Sequence, residues 1–342
     1  MSVLTPLAAT SAATVSEVEC RLERYFDEHE ARAMALGGRY VALWGAMRRS
    51  ARGGKKLRPA LVVETFAALR GEGTEALPAA AVDVAAAFEL LHTAFLLHDD
   101  VLDGDTMRRG RANLIGELAA DAERSGVDAE RARAWGEASA ILAGDLLIHG
   151  AHRLIDDAEL PDRLLTTVRA VFDDAVFRTA AGEQSDMAFS CSIATPGLSG
   201  VLAMTEDKTA HYSFGDPLRV GALLAGASDD LVSLLGEFGR AVGVAFQLRD
   251  DVLGTFGDER ALGKSVASDR RNGKVTVLTV MPDGAMDARD TATGHGDPRD
   301  LAERLIAGNR DAALRLAADS IVPDRLRAVL EHCVDRATER RS

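Results

Sequence analysis

The sequence is poor in the features that mark several protein classes. Its three cysteines, Cys20, Cys191 and Cys333, stand far apart in 342 residues and form no CxxC pair. That argues against a disulfide framework or a structural zinc site and fits a reducing compartment. Aromatic residues make up 5% of the chain and alternating β-branched runs are scarce, so there is little to build strands from. Basic charge is also short: 40 Lys and Arg against 53 Asp and Glu leave a net charge of −13, and the basic face that general nucleic-acid binding demands is missing. No apolar run approaches the ~20 residues that cross a bilayer. Residues 1–14 lack the basic start of a signal peptide and are expected to fray, which places the chain in the cytoplasm.

What the sequence has is helical periodicity on an Ala- and Leu-rich background, with 47% hydrophobic residues, enough for a sizeable core. Val15, Val18, Leu22, Tyr25 and Phe26 form one stripe. Helices are expected from Pro59 to Leu69, with the proline in the first turn, and from about Pro78 to Leu102. Others are expected over Trp135–Ile155, Arg163–Ala181 and Leu231–Leu253, with two more between Arg299 and Arg340. Glycine-rich and polar stretches mark loops at Gly104–Asn113, Gly257–Lys274 and an irregular segment over 282–298. No linker divides the chain, so the expectation is one all-α domain over residues 1–342.

The internal echo is a pair of acidic motifs. Asp99-Asp100-Val101-Leu102-Asp103 closes a strongly apolar helix, and Asp250-Asp251-Val252-Leu253-Gly254 closes another, with Asp258 following. Asp99 and Asp103 are four apart and share a helix face, one turn from each other. A lone aspartate pair at a helix end is ordinarily a solvated terminus. Two such motifs, each on a helix too apolar to lie on the surface, crowd carboxylates against the negative end of the helix dipole. Hard cations held through oxygen relieve that crowding, and Mg2+ characteristically takes one or two carboxylates and completes its shell with water and phosphate oxygens.

Three basic clusters lie where an anion bridged by such cations would need them. Gly53-Gly54-Lys55-Lys56-Leu57-Arg58-Pro59 is a glycine turn entering a helix. Arg108-Arg109-Gly110-Arg111 follows the first acidic motif, while Lys264, Arg270, Arg271 and Lys274 follow the second. Each alone reads as a solvated charge run. Their placement after the acidic motifs suits a metal-bridged diphosphate.

Taken in order, these elements resemble the polyprenyl synthetase family of trans-isoprenyl diphosphate synthases, over about Gly53 to Val280. Gly53 to Pro59 is similar to the family's GGKxxRP, and Asp99 to Asp103 with Arg108-Arg109-Gly110 to its first aspartate-rich motif. Gly182-Glu183 with Asp186 resembles GQxxD, and Lys208-Thr209 the KT pair. Phe246-Gln247-Leu248-Arg249-Asp250-Asp251, with Gly263-Lys264 and Gly273-Lys274-Val275-Thr276, resembles the second aspartate-rich motif. The resemblance implies the isoprenoid synthase fold, a helical bundle around a deep central cavity. It implies three Mg2+ ions, with Asp99 and Asp103 binding two, Asp100 supporting, and Asp250, with Asp251 nearby, binding the third. It assigns Arg108, Lys208 and Lys264 to an allylic diphosphate. Gly54, Lys55, Arg58, His92 and Arg109 are assigned to isopentenyl diphosphate. Thr209 falls beside the reacting carbon, and Lys274 helps hold or close the site. A homodimer is implied by the family alone.

Two departures stand out. Gly254 replaces a third aspartate, and Glu183 stands where glutamine is usual, either as a further carboxylate near the substrates or facing water. In the family, the residues four and five before the first motif floor the growing chain. Here these are Phe95 and Ala94, with Leu91 one turn (~5.4 Å) deeper. Small Ala94 points to the C20 product, geranylgeranyl diphosphate, and Phe95 keeps a C15 farnesyl product as the alternative. A non-catalytic regulatory subunit and a class I terpene cyclase are the competing classes. Retention of the acidic motifs weighs against the first, and Gly53–Pro59 with Arg109 against the second. His98 and Gly144-Asp145 read as packing and hydrogen-bonding residues.

Overall fold

A computed structural model describes residues 5–71, 77–256, 274–280 and 297–338, with side chains from residue 15 onward. Lys264, Asp258, Arg270 and Arg271, and all but the end of the 282–298 segment, lie outside the described residues. The regular structure among the described residues is helical apart from one hairpin of two-residue strands. It divides into two compact units, Met1–Glu64 with Gly73–Arg169, and Thr65–Glu72 with Ala170–Ser342.

In the first unit, α1 (Thr5–Ala33) begins inside the stretch expected to fray. It packs with α2 (Gly38–Ala51), and the next helix, α3 (Leu57–Arg70), crosses the division between units. The centre is α4 (Ala79–Leu102), buried on every side along most of its length because Ala, Val and Leu occupy all faces. It lies against α6 (Ala129–Asp156), which also carries α5 (Leu114–Arg124). Glycines let α6 take side chains end-on. A Cβ on Gly150 would stand 1.9 Å from the Tyr25 hydroxyl, and one on Gly144 would stand 2.1 Å from His98 Nε2. His98 therefore lies against α6, 3.2 Å from the Ile141 carbonyl and 3.6 Å from Asp145.

The second unit is built on α10 (Asp229–Phe256). Packed on it are α9 (Asp216–Ala225), α11 (Pro298–Ala317) and α12 (Asp324–Thr338). So is a π-helix (Glu206–Gly215), which continues α8 (Leu198–Thr205). Arg249 ties this core together: it holds Glu303 of α11 through two nitrogens, at 2.7 and 3.0 Å, and donates to the Thr338 carbonyl at the end of α12. The remaining long helix, α7 (Asp162–Ser190), runs nine residues past the expected end and crosses from the first unit into the second.

Two helices, α4 and α10, are long and apolar enough by length and composition to cross a membrane. Their most apolar windows are 78% and 61% buried inside the protein, which is how core helices pass the same test. In sequence both runs are interrupted, by Asp83, Glu89 and His92 in α4 and by Glu237 and Arg240 in α10, so neither is a continuous apolar stretch.

Candidate active site

In the first unit the expected substrate residues converge at the end of α4. The helix closes on Asp99, Asp100 and Asp103 with no basic residue in its last turn. Asp103 caps it in helical conformation, its N–H donating to the Asp99 carbonyl at 2.8 Å, so Asp99 and Asp103 do lie one turn apart. The charge piled on a negative helix end is offset by a residue returning from the next loop. Met107–Arg108 pairs with Arg111–Ala112 as an antiparallel hairpin. Its corner is Arg109-Gly110, with φ of 54° and 74°, the left-handed pair that a tight two-residue hairpin turn requires. The sequence reading took this stretch as plain loop, since two-residue strands leave no alternation to read.

The hairpin aims its arginines apart. Arg108 bonds Asp100 Oδ1 through Nε at 2.8 Å and Nη2 at 2.6 Å, and reaches Asp99 at 2.9 Å. Asp100 is 2% exposed. Burial pushes its carboxyl up, and Arg108 and Asn113 pull it back. Asp100 thus anchors the hairpin, while Asp99 and Asp103 keep partial exposure. Arg109 instead lies over the glycine turn: a Cβ on Gly54 would stand 3.1 Å from both of its terminal nitrogens. His92, two turns before Asp100 on α4, is held well below its ordinary pKa. Burial is the main cause, and the charges of Arg58, Arg108, Arg109 and Lys56 add to it. Gly54, Arg58, His92 and Arg109 therefore share one electropositive patch around a neutral imidazole, and exposed Lys55 follows Gly54 in the turn. Ala94 and Leu91 are fully buried and Phe95 partly so.

The second unit assembles the other set. Lys208 and Thr209 sit on the π-helix, a wide turn that recurs at functional sites. A Cβ on Gly182 would stand 2.2 Å from the Lys208 backbone nitrogen, so this glycine is what lets α7 touch the π-helix. The next turn of α7 then grips the lysine: Glu183 lies 3.0 Å and Asp186 2.6 Å from Nζ. This is where Glu183, ambiguous in sequence, has its carboxylate. On the opposite side, a Cβ on Gly239 or Gly243 of α10 would stand 2.3 and 2.4 Å from π-helix backbone atoms. That contact brings Thr209 to Gln247, whose amide oxygen accepts from the hydroxyl at 3.2 Å and whose nitrogen donates to Asp251 at 3.0 Å. Asp250 is the neighbouring residue on α10, and Lys274 acts on Asp251 through its charge. The roles of Gln247, Asp186 and the α10 glycines were missed, because a motif shows which residues recur but not which atoms they grip.

Among the described residues no group of three or more His, Cys, Asp or Glu side chains is gathered as a ready metal cage. Mg2+ takes one or two carboxylates and completes its shell with water and phosphate oxygens, and the partly exposed oxygen donors at Asp99 and Asp103 suit such an ion.

Burial pushes Asp251 up to about 6, and Asp250 and Asp186 add to the rise. The folded value thus exceeds the unfolded one near 3.8. The stability that this protonated carboxyl contributes is complete below pH 3.8 and lost as pH rises through 6. The metal-free chain should therefore lose up to roughly 3 kcal/mol at this position on going to neutral pH. Thermal melts in chelator from pH 5 to 7.5 should show a slope that Asp251→Asn flattens; an unchanged slope refutes the assignment.

Residues 43–291 match the family model described as polyprenyl synthetase. The chain belongs to the polyprenyl synthetase family. By that membership it is a trans-prenyltransferase. It is 33% identical to a short chain isoprenyl diphosphate synthase of Methanothermobacter thermautotrophicus, over 78% of this chain and 75% of that protein. It is 36% identical to a geranylgeranyl diphosphate synthase of Sulfolobus acidocaldarius over 67% of this chain, an alignment spanning 62% of the relative's length. Among solved structures, a geranylgeranyl pyrophosphate synthase of Corynebacterium glutamicum, complexed with isoprenyl diphosphate and magnesium, superposes with a TM-score of 0.83 at 27% identity. That match covers 95% of this family member and 98% of the other chain. The helical fold is thus that of the isoprenyl synthases.

Proposed function

We propose that this chain condenses isopentenyl diphosphate with an allylic prenyl diphosphate and makes geranylgeranyl diphosphate. The observation that carries the reading is the patch of Gly54, Arg58, His92 and Arg109, two turns below a carboxylate pair one helix turn apart. An anion-binding patch beside oxygen donors for hard cations is what a diphosphate with its metal requires.

In this reading Asp99 and Asp103 would hold two Mg2+ ions and Asp250 a third. The ions supply charge that stabilises the departing diphosphate. Lys208, held by Glu183 and Asp186, would offer its ammonium to the allylic diphosphate and Arg108 its guanidinium, and Lys264 is assigned the same role. Thr209 and Gln247 set a fixed dipole beside the carbon that gains cationic character, which is stabilisation by a preorganised site. Gly54, Lys55, Arg58, His92 and Arg109 orient isopentenyl diphosphate so that its alkene attacks that carbon. The proton then lost goes to the released diphosphate, and Lys274 helps keep the site closed. Trp135, Ile141 and Leu142 of α6 are exposed apolar side chains, 43%, 46% and 57% accessible, which supports a homodimer.

The test is incubation of the purified chain with Mg2+, labelled isopentenyl diphosphate and, separately, C5, C10 and C15 primers, followed by sizing of products. A Mg2+-dependent C20 product supports the reading, a C15 product corrects the chain length, and no elongation of any primer by folded protein overturns it. Ala94→Phe should shorten the main product by at least one isoprene unit, because a ring then replaces a methyl at the position proposed to floor the growing chain. An unchanged product spectrum would remove Ala94 from the floor.

A further inference from the structure

We infer that Lys56 and Glu89 are positioning residues that latch the turn between α2 and α3, and that this pair sets the affinity for isopentenyl diphosphate without touching it. The inference rests on the proposed function for the identity of the ligand.

The turn is conformationally expensive. Gly53 and Gly54 have φ of 76° and 77°, which glycine adopts freely. Lys56 has φ of 46°, a left-handed conformation that is uphill for a residue with a Cβ. Something must hold it there. The Lys56 ammonium donates to the carbonyl of Ala51, the last residue of α2, and to Glu89 Oε1 of α4 at 2.9 Å. The first bond closes the turn on itself, and the second fastens it to the central helix. Both side chains are buried, Lys56 at 4% and Glu89 at 6% exposed. A buried ion pair is weak evidence for net stability, since desolvation cancels much of the attraction. Its consequence here is geometric: only one arrangement of the turn satisfies both charges.

What the turn presents is the patch itself. Gly54 lies beneath Arg109, Lys55 immediately precedes the latch, and Arg58 follows it on the first turn of α3. Glu89 and His92 are three residues apart on α4, so the latch and the imidazole share one helix face. Lys56 lies close enough for its charge to act on His92. Loosening the pair would let the turn sample other conformations. Apparent affinity then falls in proportion to the fraction still competent to bind.

The experiment is two-substrate kinetics on Glu89→Gln, with circular dichroism to establish folding and calorimetric titration with isopentenyl diphosphate as a second readout. Glu89→Gln should raise both KM and the calorimetric Kd for isopentenyl diphosphate about tenfold or more. The KM of the allylic primer and kcat at saturation should stay within about twofold. Glu89→Asp, which keeps the charge with a shorter reach, should fall between, and Lys56→Arg should retain most of the affinity. If Glu89→Gln does not fold, the same split read on Glu89→Asp decides. An unchanged KM for isopentenyl diphosphate, or equal changes in both KM values and kcat alongside a lower Tm, would overturn the latch and leave a merely structural pair. A wild-type chain that binds isopentenyl diphosphate but elongates no primer would overturn the functional reading alone, with the latch then judged on the binding ratio. No binding by folded wild type would overturn both.

Discussion

Asp103→Ala should lower kcat by about three orders of magnitude while the chain stays folded. Asp103 caps α4, keeps partial exposure and stands one turn from Asp99. Its loss removes half of the oxygen pair proposed to hold two ions, and the departing diphosphate then develops charge against a weakened field. Several kcal/mol of transition-state stabilisation from a bound ion correspond to about a thousandfold in rate. Asp100 provides the contrast. It is buried and gripped twice by Arg108, so Asp100→Ala should cost stability as well as rate, on the order of 3 kcal/mol for breaking a buried pair. Single-turnover rates at saturating substrate, Mg2+ titrations and thermal melts on both variants separate the two roles. A kcat for Asp103→Ala within tenfold of the parent would remove it from the metal set. Chelation should abolish turnover in the parent, while the Arg108 pairs with Asp99 and Asp100 persist without an ion.

The second large effect is expected at a residue that has no side chain of its own. Gly182→Ala should reduce kcat about a hundredfold, since a displacement near 1 Å at a reacting group costs about that much. The added methyl would stand 2.2 Å from the Lys208 nitrogen and 2.6 Å from its Cα. The obstruction is backbone on both sides and no flexible side chain can swing away, so the π-helix must shift from α7. Lys208 then leaves Glu183 and Asp186, and Thr209 leaves Gln247. Overpacking of this kind also destabilises, by about 1–3 kcal/mol. The signature is a rate loss well beyond that of an equally destabilised core variant, with the isopentenyl diphosphate KM nearly unchanged because that patch lies in the other unit. Wild-type kinetics from a folded Gly182→Ala protein would sink the account.

Much of the molecule was legible because its signals are local. The apolar periodicity located α4, α6, α7 and α10, although α7 runs past its expected end into the Gly182-Glu183 motif. Helix α2 and the α8 to α9 segment, π-helix included, were not anticipated. The π-helix differs from an α-helix only in the register of its hydrogen bonds, which residue type does not announce, and it packs closely on Gly239 and Gly243. The hairpin went unseen because its identity rests on two left-handed residues, not on strand alternation.

The sequence by itself determined the class of chemistry: paired carboxylates at helix ends, basic clusters behind them and an ordered set of motifs are properties of residue type and spacing. Only the tertiary structure decided which partner each charge takes. Asp100 became an anchor, Glu183 a lysine holder, Lys56 and Glu89 a buried pair and Arg249 a tie between three helices. The reason is physical. A helix face follows from a period of 3.6 residues, whereas an ion pair between residues 33 or 54 positions apart depends on how separate helices pack.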